Sequence, residues 1–384
     1  MSPHMSELSD SITGRATTSE MSRRRLLKAA GLGGLALGAG SVLAACGGGS
    51  SSSTSPGTLT DLSVQLSWIK NYEFVGEYVA AEKGYYREAG FTNVGLLASG
   101  TSTTAESIVL SGKATVGLSS TPITAAAVTS SNAPLKIIGA TYQKNPFAIA
   151  SLADKKPIRT VQDLVGKRIG VQAGGNQTLF EALLKANGID KSHVQIVGVQ
   201  YDQSPLKNGS VDGFMTYVIN DFKLHLQGYD PVILAFADSG LPFVAETFTV
   251  RQDTITNNRD ALKRFLVAEI KGWTDAIKDP ATAVDYTVKK YGADQKLDYN
   301  DQYGSAVEIA EKLIVTDDTN ANGLFTMTDQ VIANDLKSLA AMGYQIDAKQ
   351  LYDLSLITEV YREHPELKAP ITPPTDVNPP KAGK

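Results

Sequence analysis

A single cysteine in 384 residues rules out an intramolecular disulfide. Histidine is nearly as scarce: of four, only His193, His225 and His364 lie beyond residue 45, and their separation does not suit a shared metal ion. GxSxG, HExxH, a P-loop and CxxC are all missing, which removes the usual signatures of hydrolases, zinc proteases, nucleotide-binding enzymes and redox proteins. The stretch from Gly170 to Gly174 and Gly175 departs from GxGxxG, so no dinucleotide site follows. There is no excess of positive charge. The first 45 residues hold five basic and three acidic groups, leaving 31 basic and 37 acidic beyond them, a net of −6. Nucleic acid and direct adhesion to anionic lipid are therefore poor candidates as partners. No later apolar run approaches the ~20 residues that a membrane-spanning helix needs.

What the chain does have begins at its N-terminal end. Ser22-Arg23-Arg24-Arg25-Leu26-Leu27-Lys28 places adjacent arginines before a weakly apolar stretch, the pattern of a twin-arginine export signal. Ala29 to Ala45 contains five glycines and is too short and dilute for a spanning helix. It ends in Leu43-Ala44-Ala45-Cys46, which resembles the lipobox of bacterial lipoproteins. Cys46 is the lipidation candidate, and two acyl chains supply stable anchoring. Gly47 to Gly57 is glycine and serine-rich, a flexible tether of roughly 18 Å. Residues 1–45 are thus expected to be an export signal and 46–57 a lipidated cysteine with its linker. The protein would be exported and lipid-anchored at the outer face of the cytoplasmic membrane.

The body, from about Leu59 to Leu367, alternates strand and helix patterns. Strands are expected at Leu62–Leu66, Val94–Leu97, Thr115–Leu118 and Leu135–Tyr142. Helices are expected at Glu73–Ala89, Ser102–Ser111 and Pro122–Thr129. A second unit repeats the alternation: a short helix at Thr160–Leu164, strands at Arg168–Gln172, Gln195–Val199, Val211–Val218 and Val232–Phe236, and a helix at Gln177–Ala186. After a strand at Glu246–Arg251 the pattern becomes helical at Arg259–Lys278, Ala281–Tyr291, Asp301–Leu313 and Thr328–Met342. In Arg259–Lys278 the residues Leu262, Phe265, Leu266, Ile270, Trp273 and Ile277 recur at helical spacing, a core-facing stripe. The fold class is α/β with two lobes, each a mostly parallel sheet flanked by helices. Residues 58–150 with 246–367 form the first lobe and 151–245 the second. The chain would cross near Phe147–Asp154 and return near Gly240–Ala245, leaving a hinge and a cleft. Residues 368–384 form a proline-rich tail, extended or disordered.

In such sheets ligands sit beyond the carboxyl ends of the strands. Four clusters occupy those places. Trp68, Asn71, Tyr72 and Glu73 follow the first strand. Ser119 and Thr121 stand at a strand-to-helix turn. Gly174, Gly175 and Asn176 form the corresponding turn of the second lobe. Tyr217, Asn220 and Asp221 end a later strand, and Glu246 lies near the return crossing.

The segments Ser67-Trp68-Ile69-Lys70-Asn71, Gly76-Glu77-Tyr78-Val79-Ala80 and Glu82-Lys83-Gly84-Tyr85-Tyr86 carry a family likeness. So do Tyr142-Gln143-Lys144-Asn145-Pro146-Phe147, Asp163 through Val171, and Val211-Asp212-Gly213. From Leu62 to Met342 the body resembles substrate-binding proteins of ABC importers. The branch is the one that binds thiamine pyrimidine precursors, riboflavin, alkanesulfonates and taurine. The resemblance implies a type II periplasmic-binding-protein fold. It also implies a hinge that closes on a small solute, and docking on a permease driven by an ATPase. No cofactor, metal or catalytic residue is expected, and the protein is expected to be a monomer.

The residues favour one ligand class. Carboxylates and aromatic faces suit a flat heterocycle with N–H donors better than a sulfonate or nitrate. On this reading Trp68 and Tyr217 stack, and Glu73, Asn220 and Asp221 bond ring substituents. Ser119, Thr121, Gly174, Gly175 and Asn176 fix polar edges. A sulfonate, taurine or nitrate binder is the alternative. A pyrimidine-synthase-like enzyme is the alternative from another class, although no histidine falls in the four clusters.

Overall fold

A computed structural model describes residues 59–99, 103–200 and 202–380. Arg23, Arg24 and Cys46, with the export and anchoring expectations they carry, lie outside the described residues.

Two five-stranded sheets organise the body. The first contains β1 (Asp61–Gln65), β2 (Asn93–Leu97), β3 (Val116–Ser120), β4 (Leu135–Tyr142) and β10 (Ala245–Arg251), in the order β2-β1-β3-β10-β4. The second contains β5 (Phe147–Leu152), β6 (Arg168–Val171), β7 (Gln195–Gly198), β8 (Gly213–Tyr217) and β9 (Pro231–Ala235), in the order β7-β6-β8-β5-β9. β1 runs parallel to β2 and β3, and β6 parallel to β7 and β8. One strand in each sheet runs against its neighbours: β10 in the first and β5 in the second. Each is the first strand after the chain changes sheet. It arrives without the crossover helix that a parallel connection needs, so it enters in the opposite sense.

This corrects the expected first crossing. Phe147–Leu152 is not a connector but β5, paired on both sides in the second sheet. The chain crosses at residues 143–146 and returns between Ala235 and Ala245. Only Phe147 of β5 is more than slightly exposed, so the segment shows no alternation of polar and apolar residues that would mark it as a strand.

The helices that position the cleft are α1 (Val75–Glu82), α2 (Thr121–Ser131), α3 (Gly175–Ala186), α4 (Asp221–Leu226), α5 (Arg259–Lys278), α6 (Tyr299–Ile309) and α7 (Asp329–Met342). The expected single helix over Glu73–Ala89 is divided. A 3-10 turn at Tyr72–Phe74 precedes α1, and Gly84, at φ +80, starts a separate short helix at Tyr85–Glu88. A left-handed residue cannot continue a right-handed helix, and glycine takes that conformation at no steric cost.

Helix α5 matches its periodicity. Leu262, Phe265, Leu266, Ile270, Trp273 and Ile277 are all buried in the first lobe's core. α5 crosses α1 where two glycines meet. A Cβ on Gly76 would stand 2.2 Å from Trp273 Cγ, and one on Gly272 would stand 2.4 Å from the Gly76 carbonyl oxygen. Over the described residues 369–380 the proline-rich tail has no regular structure, yet Ile371 is buried and its N–H donates to Asn320 Oδ1 at 2.9 Å. Among the described residues no helix is long and apolar enough to cross a membrane.

Candidate functional site

A cavity of about 590 Å³ lies between the two sheets. The first lobe supplies Trp68, Asn71, Tyr72 and Glu73 from the loop after β1, and Ser99 from beyond β2. The second supplies Phe147 at the start of β5, Gln172 after β6, Asn176 in the first turn of α3, and Phe214 to Tyr217 on β8. Asn220 and Lys223 follow from the second lobe, and Asp301 and Gln302 of α6 close one side. The strand-end residues therefore converge from both lobes, as the sheet geometry requires.

Local bonding fixes these side chains. Asn71 caps the 3-10 turn, its Oδ1 accepting from Glu73 N at 2.9 Å, while its Nδ2 donates to Glu73 Oε1 at 2.7 Å. Tyr72 N donates to Gln302 Oε1 at 2.8 Å, tying the turn to α6. Opposite, Asn176 donates to Gln172 Oε1 at 2.9 Å and Asn220 to Thr216 Oγ1 at 2.6 Å. Phe147 and Tyr217 meet edge to face, with ring centroids 5.1 Å apart. Lys223 Nζ stands 5.7 Å from the Tyr72 ring centroid and 3.5 Å from Asp301 Oδ2.

Glu73 is the unusual group. Its Oε2 is buried with no hydrogen-bond partner. Burial pushes its carboxyl up to about 7, against the opposing Asn71 bond and the Lys223 charge. Behind it lie more buried acids. Burial raises Glu77, with Glu269 adding to the effect. Burial raises Glu246, with Glu73 adding. Burial carries Glu269 up to about 8, against a hydrogen bond from the Tyr86 hydroxyl. Asp335 is likewise raised by burial, to about 7.

These shifts set a pH dependence. A carboxyl raised in the folded state holds its proton there while the unfolded chain has released it. Its stabilisation is complete below the unfolded value and is lost as pH rises through the folded one. The thermal midpoint of the ligand-free protein should therefore fall between about pH 5 and about pH 8. Calorimetric melts across that range check this, and a midpoint that rises steadily to pH 8 would contradict it.

Seven of the residues singled out in the sequence line this cavity: Trp68, Asn71, Tyr72, Glu73, Asn176, Tyr217 and Asn220. The other six lie elsewhere. Ser119 is buried in β3 opposite Thr247 of β10. The Thr121 hydroxyl lies within hydrogen-bond distance of both Val244 O, at 3.2 Å, and Asp335 Oδ2, at 3.0 Å, its one proton serving either acceptor, so it links the return crossing to α7. Asp335 also accepts from Val244 N at 2.8 Å and from the Tyr352 hydroxyl at 2.7 Å. Gly174, at φ +85, caps α3. Gly175 faces a second groove. The Asp221 carboxylate accepts from Lys312 Nζ at 3.3 Å. Glu246 sits in a bulge of β10 at φ +47, its Oε1 accepting from Ser67 Oγ at 2.7 Å and its Oε2 buried without a partner.

The second groove is larger, about 840 Å³, and is lined by Pro122, Ile123, Leu179, Met342 and Tyr344 among others. None of the buried, unpartnered polar atoms belongs to its walls. The smaller cavity joins aromatic faces to convergent polar groups, so chemistry rather than size selects it. Among the described residues no group of three or more His, Cys, Asp or Glu side chains is placed to hold a metal ion.

Several lining residues escaped sequence reasoning. Phe147 was hidden in the segment read as a crossing. Gln172, Gln203 and Phe214 gave no signal beyond their place near strand ends. Lys223, Asp301 and Gln302 sit on helices whose approach to the cleft is a tertiary fact. The Tyr72–Gln302 bond spans 230 residues.

Comparison with known proteins places this geometry. Residues 71–283, more than half of the chain, match the family described as NMT1/THI5 like. The riboflavin-binding protein RibY of Chloroflexus aurantiacus is 27% identical over 244 residues, covering 60% of this chain and 67% of that protein. A formylaminopyrimidine-binding protein of Halalkalibacterium halodurans is 23% identical over 231 residues, covering 59% and 69%. Among solved structures, the periplasmic aliphatic sulphonate binding protein SsuA of Escherichia coli superposes with a TM-score of 0.59. It is 12% identical and covers 77% of this chain and 92% of that one, a likeness of fold alone. Two lobes of the periplasmic-binding-protein type, a strand-end cleft between them and the matched sequence agree: the chain belongs to the NMT1/THI5 like family, as one of its substrate-binding proteins.

Proposed function

We propose that this protein is the exported, lipid-anchored solute-binding component of an ABC importer, and that its cleft closes on a flat heteroaromatic solute. The favoured solutes are a thiamine-precursor pyrimidine or a flavin. The carrying observation is Glu73 Oε2, a buried acceptor without a partner in an aromatic-walled cavity. An unmade hydrogen bond of this kind costs free energy until a ligand N–H fills it. Trp68 and Tyr72 on one wall, and Phe147, Phe214 and Tyr217 on the other, provide faces for a ring. Asn71, Asn176 and Asn220 supply amide donors and acceptors for its edges. The volume lies within the usual range for small-molecule sites, roughly 300–1,000 Å³.

Closure follows from differential affinity. A ligand that touches both lobes binds the closed form better and shifts the population toward it, and the permease reads that form. Arg23, Arg24 and Cys46 support export and anchoring, with a membrane permease and its ATPase as partners.

Lys223 and Lys207 also line the cavity, which favours an anionic solute such as a sulfonate as the second reading. Asp301, paired with Lys223, counts against it. A thermal-shift screen separates the two. Riboflavin or a formylaminopyrimidine at 100 times its Kd should add about 2.7 kcal/mol and raise the midpoint. A shift with taurine or an alkanesulfonate and with no heterocycle would overturn the ligand assignment.

A further inference from the structure

One wall of the cleft is a seam between lobes with its own chemistry. Helix α4 of the second lobe lies against α6, which continues as a π-helical turn at Ala310–Ile314. Three consecutive residues of α4 make the contact. Both carboxylate oxygens of Asp221 lie 3.3 Å from Lys312 Nζ. The Phe222 ring fills the space beside Gly304, where a Cβ would stand 2.4 Å from its Cε2. Lys223 Nζ lies 3.5 Å from Asp301 Oδ2. The two ion pairs have opposite polarity, Asp221 and Lys223 of α4 facing Lys312 and Asp301, and Lys312 Nζ is also paired with Glu308 one turn before it. Just before α4, Ile219 is fully buried in the first lobe's core cluster, although its chain belongs to the second lobe.

The seam shares residues with the cavity. Lys223 and Asp301 line it, and so do Gln302 and Tyr72, which are bonded to each other. Asp221, Phe222, Gly304 and Lys312 do not line it. We infer that Asp221 and Phe222 are positioning residues for binding. They clamp α4 onto α6, set the balance between open and closed lobes, and so tune affinity from outside the cavity. The inference rests on the cavity being the binding site; it does not depend on which solute fills it.

Both ion pairs are partly exposed, with side chains at 19–39% of full exposure, so salt screens them. The purified protein tests the inference through small-angle X-ray scattering without ligand and calorimetric titration with riboflavin as the probe. Asp221→Lys sets like charges against each other at Lys312, and Gly304→Leu wedges the Phe222 contact without altering charge. Each should enlarge the ligand-free radius of gyration and weaken riboflavin binding by about tenfold, the size of a modest population shift. The compensated variant Asp221→Lys/Lys312→Asp/Glu308→Gln, in which the Glu308 carboxylate no longer opposes the reversed pair, should return both readings toward wild type, which a general loss of folding would not do. Unchanged scattering in both Asp221→Lys and Gly304→Leu would overturn the inference, and so would failure of the compensated variant to restore what Asp221→Lys lost. If riboflavin fails to bind the wild type while scattering responds as described, the ligand assignment falls and the seam stands.

Discussion

Gly76→Ala should cost about 1–3 kcal/mol or more, although it adds only one methyl group. The new carbon would fall 2.2 Å from Trp273 Cγ, inside the ring's own volume. The indole cannot swing aside, because it is buried in the first lobe's core. The backbone cannot simply withdraw either, because Gly272 of α5 already lies against the Gly76 carbonyl. Trp273→Ala should cost about 3–5 kcal/mol by leaving a cavity. Together the two changes should cost less than their sum, since the methyl then occupies space the ring has left. Urea unfolding of the four proteins measures the coupling, expected at about 0.5–3 kcal/mol. Strict additivity would show that the two residues do not compete for space. The effect reaches function because α1 follows directly on the turn that carries Tyr72 and Glu73.

At pH 8, where the Glu73 carboxyl is ionised, Glu73→Gln should weaken binding of a heterocycle by about 10–100-fold, the equivalent of one charged hydrogen bond of roughly 1.5–3 kcal/mol. Glutamine keeps the shape and retains an oxygen for Asn71, but it presents an N–H donor where the carboxylate presented a free acceptor. The same substitution should stabilise the ligand-free protein at pH 8, because it removes a buried acid whose carboxyl titrates at about 7. Loss of affinity with gain of stability is the signature of a group held under strain for binding. Titration calorimetry and a melt at pH 8 read both. An anionic solute would behave in the opposite way and bind the variant more tightly, because a negative group has left the cleft.

How much of this was legible in sequence depends on the range of the interaction. Helix α5 was readable to its ends because its stripe is local and amphipathic. β4 was readable because its apolar run is bounded by Pro134 and the polar residues after Tyr142. β5 was not, because a strand paired on both sides and buried on both faces shows no alternation. In the site, Trp68, Asn71, Tyr72 and Glu73 were legible together, since a single loop after β1 presents them. Thr121 and Asp221 have the right chemistry at the right strand ends, yet their side chains are engaged by partners 214 and 91 residues away. Spacing carries no information about such partners. The same limit hid Lys223, which meets Tyr72 across the cleft, and Gln302, which is bonded to Tyr72 across 230 residues.

The most direct test of the central claim is calorimetric titration of the purified protein at two temperatures with riboflavin, a formylaminopyrimidine and taurine. A heterocycle should bind one to one with a negative heat-capacity change, as expected when rings are buried between aromatic walls. Binding of taurine, with no heat from either heterocycle, would contradict the account.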